Sequence, residues 1–422
     1  MPRRWVVISV DGLATAALGA FGSSWNETPT IDRMAAHGIV WDRAICTSDS
    51  TNELLKSLWS QPIGESDTKT DFISAWRKLG RVELFVSEGV EATQLTQLAD
   101  QLGFDQCTVV ETSAGLPANT SEELSGSRDE IEEAALAQLW LPVLERLGEV
   151  ESGVSSSPSS SSKDWSVLWV HDDTFTRRWD APRWLFPVEE EEEDEEPVDE
   201  LEWALEDFEA ASSVAEPEDD LQVKPPPLFD SSEVPHFKLT PDAHPDLVTS
   251  WMQTYGCQVR LLDRMLQWLV DAIESSGESI GVALIGTSGF SLGQNGWIGH
   301  RAGPIRTPQV HVPIVLFDGL GVGVRLPGLR PIENVTQFLM PPAETGESCR
   351  IAPHEWAVED ASDAMIETRS ARAERVLTTP QWFFVQEASE TRLFLKPDDR
   401  DDMNDVATRC RDVVDQMLET PR

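Results

Sequence analysis

The stretch "LIGTSGFSLGQNGWIGHRAGP", residues 284–304, decides how the chain is read. It starts as an apolar strand, breaks into a glycine-rich loop and ends in a polar turn. Open α/β sheets present ligand sites in this order, beyond the carboxyl end of a strand. The loop holds one histidine, His300, followed by Arg301, and no carboxylate. Whether 284–304 forms an active site or only the shell of one is therefore the question the rest of the chain must answer.

Working outward, "HPDLVTSWMQTYGCQVRLLDRMLQWLVDAIES" (244–275) repeats apolar residues at helical spacing and leads into the strand. Further upstream, apolar runs alternate with helix-like stretches. "WVVISV" (5–10), "VELFVS" (82–87) and "WSVLWVH" (165–171) read as strands, and "TPTIDRMAAHG" (28–38), "DFISAWRKLG" (71–80) and "EIEEAALAQLWLPVLERL" (130–147) as helices. This rhythm predicts an α/β fold with a mixed, mostly parallel sheet flanked by helices. After "HVPIVLFDG" (311–319) the rhythm changes. "RVLTTPQWFFVQE" (375–387) and "TRLFLKPDD" (391–399) read as paired antiparallel strands, and "DMNDVATRCRDVVDQMLE" (402–419) as a terminal helix. The expected organisation is a main domain over 1–330 and a small C-terminal α+β subdomain over 331–422.

Two segments break the pattern. Residues 151–163 are serine-rich, and 188–228 are acidic and end in three prolines. Both have too little apolar content to offset ordering entropy and read as surface insertions, although Leu201, Trp203, Leu205 and Phe208 could dock as a short helix. The formal net charge is −41, and residues 189–220 alone carry 18 of the 74 acidic side chains with no Lys or Arg. Such a chain repels phosphate backbones and anionic lipid, which argues against nucleic-acid and membrane-surface partners. The acidic segment could instead engage a basic partner protein.

"MPRRWVVISVDG" has too short an apolar run for a signal peptide or a membrane span. The five cysteines, Cys46, Cys107, Cys257, Cys349 and Cys410, are scattered without CxxC spacing, so neither a disulfide framework nor a zinc site is indicated. A cytoplasmic location is the expectation.

Taken in order, these segments resemble the sulfatase family of the alkaline phosphatase superfamily, over nearly the whole chain. "VVISVDGLATAALGAFGSSWNETPTIDRMAAHGIVWDRA" (6–44) is similar to that family's opening strand, Asp-bearing turn and first helix. "TYGCQVRLLDRMLQWLVDAI" (254–273) resembles the helix before its late metal loop, and "GTSGFSLGQNGWIGHRAGPIRTPQVHVPIVLF" (286–317) the loop itself. "RVLTTPQWFFVQEASETRLFLKPDDRDDMNDVA" (375–407) is similar to its closing segment. The resemblance implies the alkaline-phosphatase/sulfatase-like fold. For a working member it also implies a Ca²⁺ or Mg²⁺ ion and an activated nucleophile.

Residue by residue, the implied machinery is depleted. Where the family places two Asp after the first strand, this chain has Val10 and Asp11, leaving Asp11 as the one metal candidate. Where the late loop needs an Asp with an Asn or His, the chain has Thr287 and Ser288. In "AICTSDSTNELLKSLW" (44–59), Cys46 lacks the Pro and Arg of the CxPxR motif that directs formylglycine formation, having Ser48 and Ser50 there. Thr47 and Thr51 are the remaining nucleophile positions, and a hydroxyl still needs metal or base activation. The Lys and His expected after the 82–87 strand are Ser87, Glu88 and Gly89, and a second expected His is Thr176. His300 and Arg301 fall near the cationic position of the late loop.

Structural roles fit the same residues. Asp11 before Gly12 suits a turn, and Thr47, Ser50 and Thr51 suit helix capping before "ELLKSLW". His171, Asp172 and Asp173 suit capping or ion pairing at a strand end, and His300 and Arg301 suit a solvated loop. The resulting expectation is a degenerate sulfatase-like protein with no cofactor, acting through binding or regulation. The alternative is an active sulfuric- or phosphoric-ester hydrolase or transferase with relocated metal ligands and a Thr or Ser nucleophile.

Overall fold

The computed structural model describes residues 4–63, 70–113, 126–152, 165–187, 227–319, 321, 323–341 and 364–420. Both predicted insertions, apart from their outermost residues, lie outside the described residues.

The main sheet contains β1 (Arg4–Val10), β2 (Ile39–Ile45), β3 (Arg81–Ser87), β4 (Gln106–Val110) and β5 (Trp165–Asp172). After a short β6 (His236–Lys238) it gains β7 (Ile280–Gly286) and, beyond the hairpin strands β8 (Phe290–Leu292) and β9 (Trp297–His300), β10 (His311–Phe317) and β11 (Val324–Pro331). Across the sheet the order is β11-β2-β10-β7-β1-β5-β3-β4. All its pairings are parallel except the two that β10 makes, with β2 and β7. The mostly parallel sheet expected from the alternating pattern is thus present. The strands Gln106–Val110 and Val324–Pro331 were not legible, because the first is largely unburied and the second is interrupted by Pro and Gly.

Period-two alternation gives each strand two faces. In β1, Val6, Ile8 and Val10 face a core shared with α1 (Pro29–His37), α5 (Ala135–Ser152) and α7 (Pro245–Ser276). Trp5 and Val7 face the opposite core, against α2 (Thr51–Trp59), α3 (Phe72–Arg77) and α4 (Val90–Leu102). Each layer removes large apolar side chains from water at about 25 cal/mol per Å². Among the described residues, eight tryptophans are fully buried, and Trp59 packs edge-on against Trp169 at 5.7 Å. Ile332, Val335, Phe338 and Leu339 still belong to the second core, so chain beyond residue 330 continues to pack on the main sheet.

A separate antiparallel sheet follows, formed by β12 (Ile366–Glu367), β13 (Arg375–Thr378), β14 (Trp382–Glu387) and β15 (Glu390–Leu395). Val376, Phe383, Val385 and Phe394 seat it on Ile45, Ile305, Val310 and Leu329 of the main domain. Beyond the short helices α6 (Thr174–Arg177) and α8 (Thr307–Val310), the chain ends in α9 (Arg411–Glu419). The predicted terminal helix over 402–419 is therefore shorter than expected. Asp399 and Asp405 bind the backbone amides of Met403, Asn404 and Ala407, which holds that stretch as a turn. Among the described residues, no helix is long and apolar enough to cross a membrane.

Candidate functional site

The carboxyl ends of β1 and β7 bring Asp11 and Thr287 side by side, each docked by its backbone. The Asp11 amide donates to Asp172 O and the Thr287 amide to Val10 O, both at 2.8 Å. Gly12 follows with φ +84°, and a Cβ there would come within 2.8 Å of Thr176 Cγ2, so only glycine fits the turn. Its amide donates to Ser288 Oγ at 2.8 Å.

Around the buried Asp11 carboxylate, three hydroxyls converge. Thr51 Oγ1 donates to Oδ2 at 3.0 Å, and Thr287 and Ser288 donate to Oδ1 at 3.3 and 2.5 Å. His300 Nε2 lies 3.7 Å from Oδ2 and 2.8 Å from Ser288 Oγ. Since Ser288 gives its only proton to Asp11, it accepts from both Gly12 N–H and His300 Nε2–H, which fixes that tautomer. Arg301, at the end of the β8–β9 hairpin with φ +49°, places Nη2 at 3.8 Å from Asp11 Oδ1 and 2.6 Å from Thr51 Oγ1. Arg372 holds that loop by donating to Arg301 O at 2.6 Å.

The electrostatics follow from these contacts. Burial opposes ionisation of Asp11, but His300, Arg301, His171 and the Ser288 hydrogen bond outweigh it and hold the carboxyl well below the usual range. Burial drives His300 down to about 4, with Arg301 and Arg372 acting in the same direction and Asp11 opposing. Near pH 7 the centre is one carboxylate, one guanidinium, a neutral imidazole and three hydroxyls.

Neighbouring candidates are engaged elsewhere. Thr47 donates to the buried Glu333, not to Asp11. Ser50 is the N-cap of α2 but makes no side-chain cap bond, and Thr51 turns inward to Asp11, so the expected capping by hydroxyls is replaced by coupling to the carboxylate. Cys46 is buried and donates Sγ–H to Thr287 O. His171 bonds Ser9 through Nδ1 at 3.0 Å, and its buried Nε2 has no partner among the described residues. Asp172 accepts from Thr174 and Trp140, while Asp173 pairs with Arg177 at 3.1 Å and accepts from Ser87. His300 and Arg301 are not solvated loop residues, because the hairpin folds them onto Asp11. Glu333, Arg177 and Arg372 were not identified from the sequence, since they lie far from any motif and act through tertiary contact.

These residues do not fit a hard divalent cation. Such an ion needs several anionic oxygens to replace its hydration shell. Here Asp11 is the one carboxylate of the cluster, both its oxygens already accept hydroxyl protons, and a guanidinium stands where a second cation would be repelled. Among the described residues, no group of three His, Cys, Asp or Glu side chains is arranged to hold a metal.

No known family profile matches the chain, and no curated protein matches its sequence. Solved structures do match its shape. The phosphonate monoester hydrolase of Agrobacterium radiobacter is similar with a TM-score of 0.61 at 15% identity, over 99% of this chain and 94% of that one. A 2-O GAG sulfatase is similar with a TM-score of 0.56 at 11% identity, over 99% and 92%. A member of the alkaline phosphatase superfamily from Vibrio parahaemolyticus is similar with a TM-score of 0.53 at 10% identity, over 99% and 84%. The chain has the sulfatase-like fold of the alkaline phosphatase superfamily.

Proposed function

We propose that this chain is a sulfatase-fold protein without metal-dependent ester hydrolysis, acting as a binding or regulatory protein. The observation that carries this reading is the pairing of Asp11 with Arg301. The guanidinium balances the charge of the carboxylate, and three hydroxyls occupy its oxygens as hydrogen-bond donors. No hydroxyl at the centre has an activating base: Thr51 and Ser288 give their protons to a carboxylate whose proton affinity is strongly reduced, and His300 already donates to Ser288. The acidic segment 188–228 is the part of the chain assigned to a basic partner protein, a role supported by its charge.

Metal analysis of the purified protein tests the reading, followed by thermal unfolding with Ca²⁺, Mg²⁺ or Mn²⁺ and assays on aryl sulfates and aryl phosphates. The expected result is no stoichiometric metal, no upward shift and no turnover. Binding at 100-fold excess over Kd would add about 2.7 kcal/mol of stability. One equivalent of metal with such a shift and with turnover would overturn the reading. Deleting 188–228 is expected to abolish partner capture without lowering the unfolding temperature.

A further inference from the structure

A cavity of ≈ 420 Å³ lies on the seam between the main sheet and the C-terminal sheet, and it shares no lining residue with the Asp11 cluster. Phe21, Ile45, Pro327 and Pro397 give it apolar walls, while Arg43, Arg325, Lys396 and Arg400 bring four cationic side chains. Asp42 is the one carboxylate among its described lining residues.

Two of these cations are neutralised. Arg325 pairs with Asp42 at 2.5 Å and Lys396 with the buried Asp402 at 2.5 Å. The other two are not. Arg43 donates to the carbonyls of Pro380 and Thr379 at 2.8 and 3.1 Å, and Arg400 to the Phe21 carbonyl at 3.1 Å, with no carboxylate on either among the described residues. In a chain of net charge −41, two guanidinium groups left with only neutral acceptors beside one cavity form a local concentration of positive charge. His311, also in the wall, reports it. Burial pushes its imidazole down to about 4, and Arg400, Arg43 and Lys396 add to the effect.

We infer that this cavity is a binding site for a small organic phosphate, its dianionic head between Arg43 and Arg400 and its apolar body against Phe21, Ile45, Pro327 and Pro397. A phosphate group supplies the two charges the site lacks, and guanidinium forks match its oxygens. The walls come from both structural units, so an occupant also bridges the main domain to the C-terminal sheet. This inference is independent of whether the Asp11 centre is catalytic.

Titration calorimetry with phenyl phosphate at pH 8 and low salt tests it, on the full chain, alongside inorganic phosphate. One site per chain is expected, with inorganic phosphate at least tenfold weaker. Arg400→Met, at an exposed side chain, is expected to weaken phenyl phosphate at least tenfold, and Arg264→Met, at an exposed side chain of α7 outside the cavity, to leave it unchanged. Arg43→Met is expected to match Arg400→Met, but because Arg43 also ties down Pro380 and Thr379, the exposed Arg400 carries the decision. Absence of saturable binding in the wild type would overturn the inference. So would binding kept in Arg400→Met, and so would equal affinity for inorganic phosphate, which would leave the apolar walls without a role.

Discussion

Arg301 Nη2 donates to Thr51 Oγ1 at 2.6 Å and stands 3.8 Å from Asp11 Oδ1, while Thr51 donates onward to Asp11 Oδ2 at 3.0 Å. The guanidinium, the hydroxyl and the carboxylate form a closed, charge-balanced triangle between the end of β1, the start of α2 and the β8–β9 hairpin. The triangle ties together three elements that are distant in the chain.

Breaking the pair is expected to be costly. Asp11→Asn leaves Arg301 near a neutral amide in a buried site, and losing one partner of a buried ion pair costs about 3–5 kcal/mol. Urea unfolding at pH 7 measures this directly. The sign of the pH effect follows from a carboxyl whose folded pKa is depressed. Its stabilisation is full above the unfolded value of about 4 and is lost as pH falls through the folded pKa. The gap between wild type and Asp11→Asn should therefore be constant from pH 5 to 8 and narrow only below about pH 4. A gap under about 1 kcal/mol at pH 7 would contradict the role assigned to Asp11.

Removing the other partner reports on His300. With its pKa at about 4, the imidazole is neutral near pH 7, and Arg301 is one of the charges that keep it so. Arg301→Met is expected to raise the His300 pKa, because the repulsion goes while the attraction to Asp11 stays. Titration of the His300 ring resonances by NMR measures the change. A value that stays put would place the depression in burial and the other nearby charges rather than in Arg301.

The fold was legible because hydrophobic period and segment order are local properties. "WVVISV", "WSVLWVH" and the 244–275 helix each declare themselves in a short window, and their order carried the resemblance to sulfatases. The centre was legible only in part. Asp11, Thr51, His300 and Arg301 could be named from position, but their mutual contact depends on how the β8–β9 hairpin, turned through Gly293–Gly296 and followed by the positive-φ Arg301, folds back onto the end of β1, which no local pattern announces. Weighed singly, each had a bland role available. Glu333, the partner of Thr47, lies 286 residues away in the chain and carries no motif.

Asp172 should show the opposite pH behaviour from Asp11. Burial lifts its carboxyl to about 6, with Asp173 adding and the bonds from Thr174 and Trp140 opposing. For a raised carboxyl, the folded state holds a proton that the unfolded state has released. Stability therefore falls as pH rises from about 4 to about 6, by a total of about 2–3 kcal/mol, and is flat above. Asp172→Asn should flatten this slope. Its absolute stability should drop by about 1 kcal/mol at low pH, because the amide cannot accept from both Thr174 and Trp140. Denaturation midpoints at half-unit pH steps separate the two effects.

Cys46 provides the last test, since it is the one cysteine of the 44–59 segment in which the resemblance places a nucleophile. Its side chain is 1% exposed, and its Sγ–H donates to Thr287 O at 3.3 Å. Burial raises the thiol well above its ordinary range, with the Glu333 and Asp11 carboxylates adding to that rise. A thiol that does not ionise is a poor nucleophile toward alkylating agents. Cys107, lifted to about 12 by burial and Asp100, and Cys257, lifted to about 11, should also resist. Iodoacetamide on the native protein at pH 8 is thus expected to leave Cys46 unlabelled while Cys410, part-exposed, reacts first among the described cysteines. Peptide mapping by mass spectrometry should find Cys46 at the mass of an intact cysteine, labelled only after denaturation. Rapid native labelling would mean that the β2–α2 junction opens in solution. A formylglycine mass at this position would reinstate the sulfatase chemistry that the Asp11–Arg301 pairing argues against.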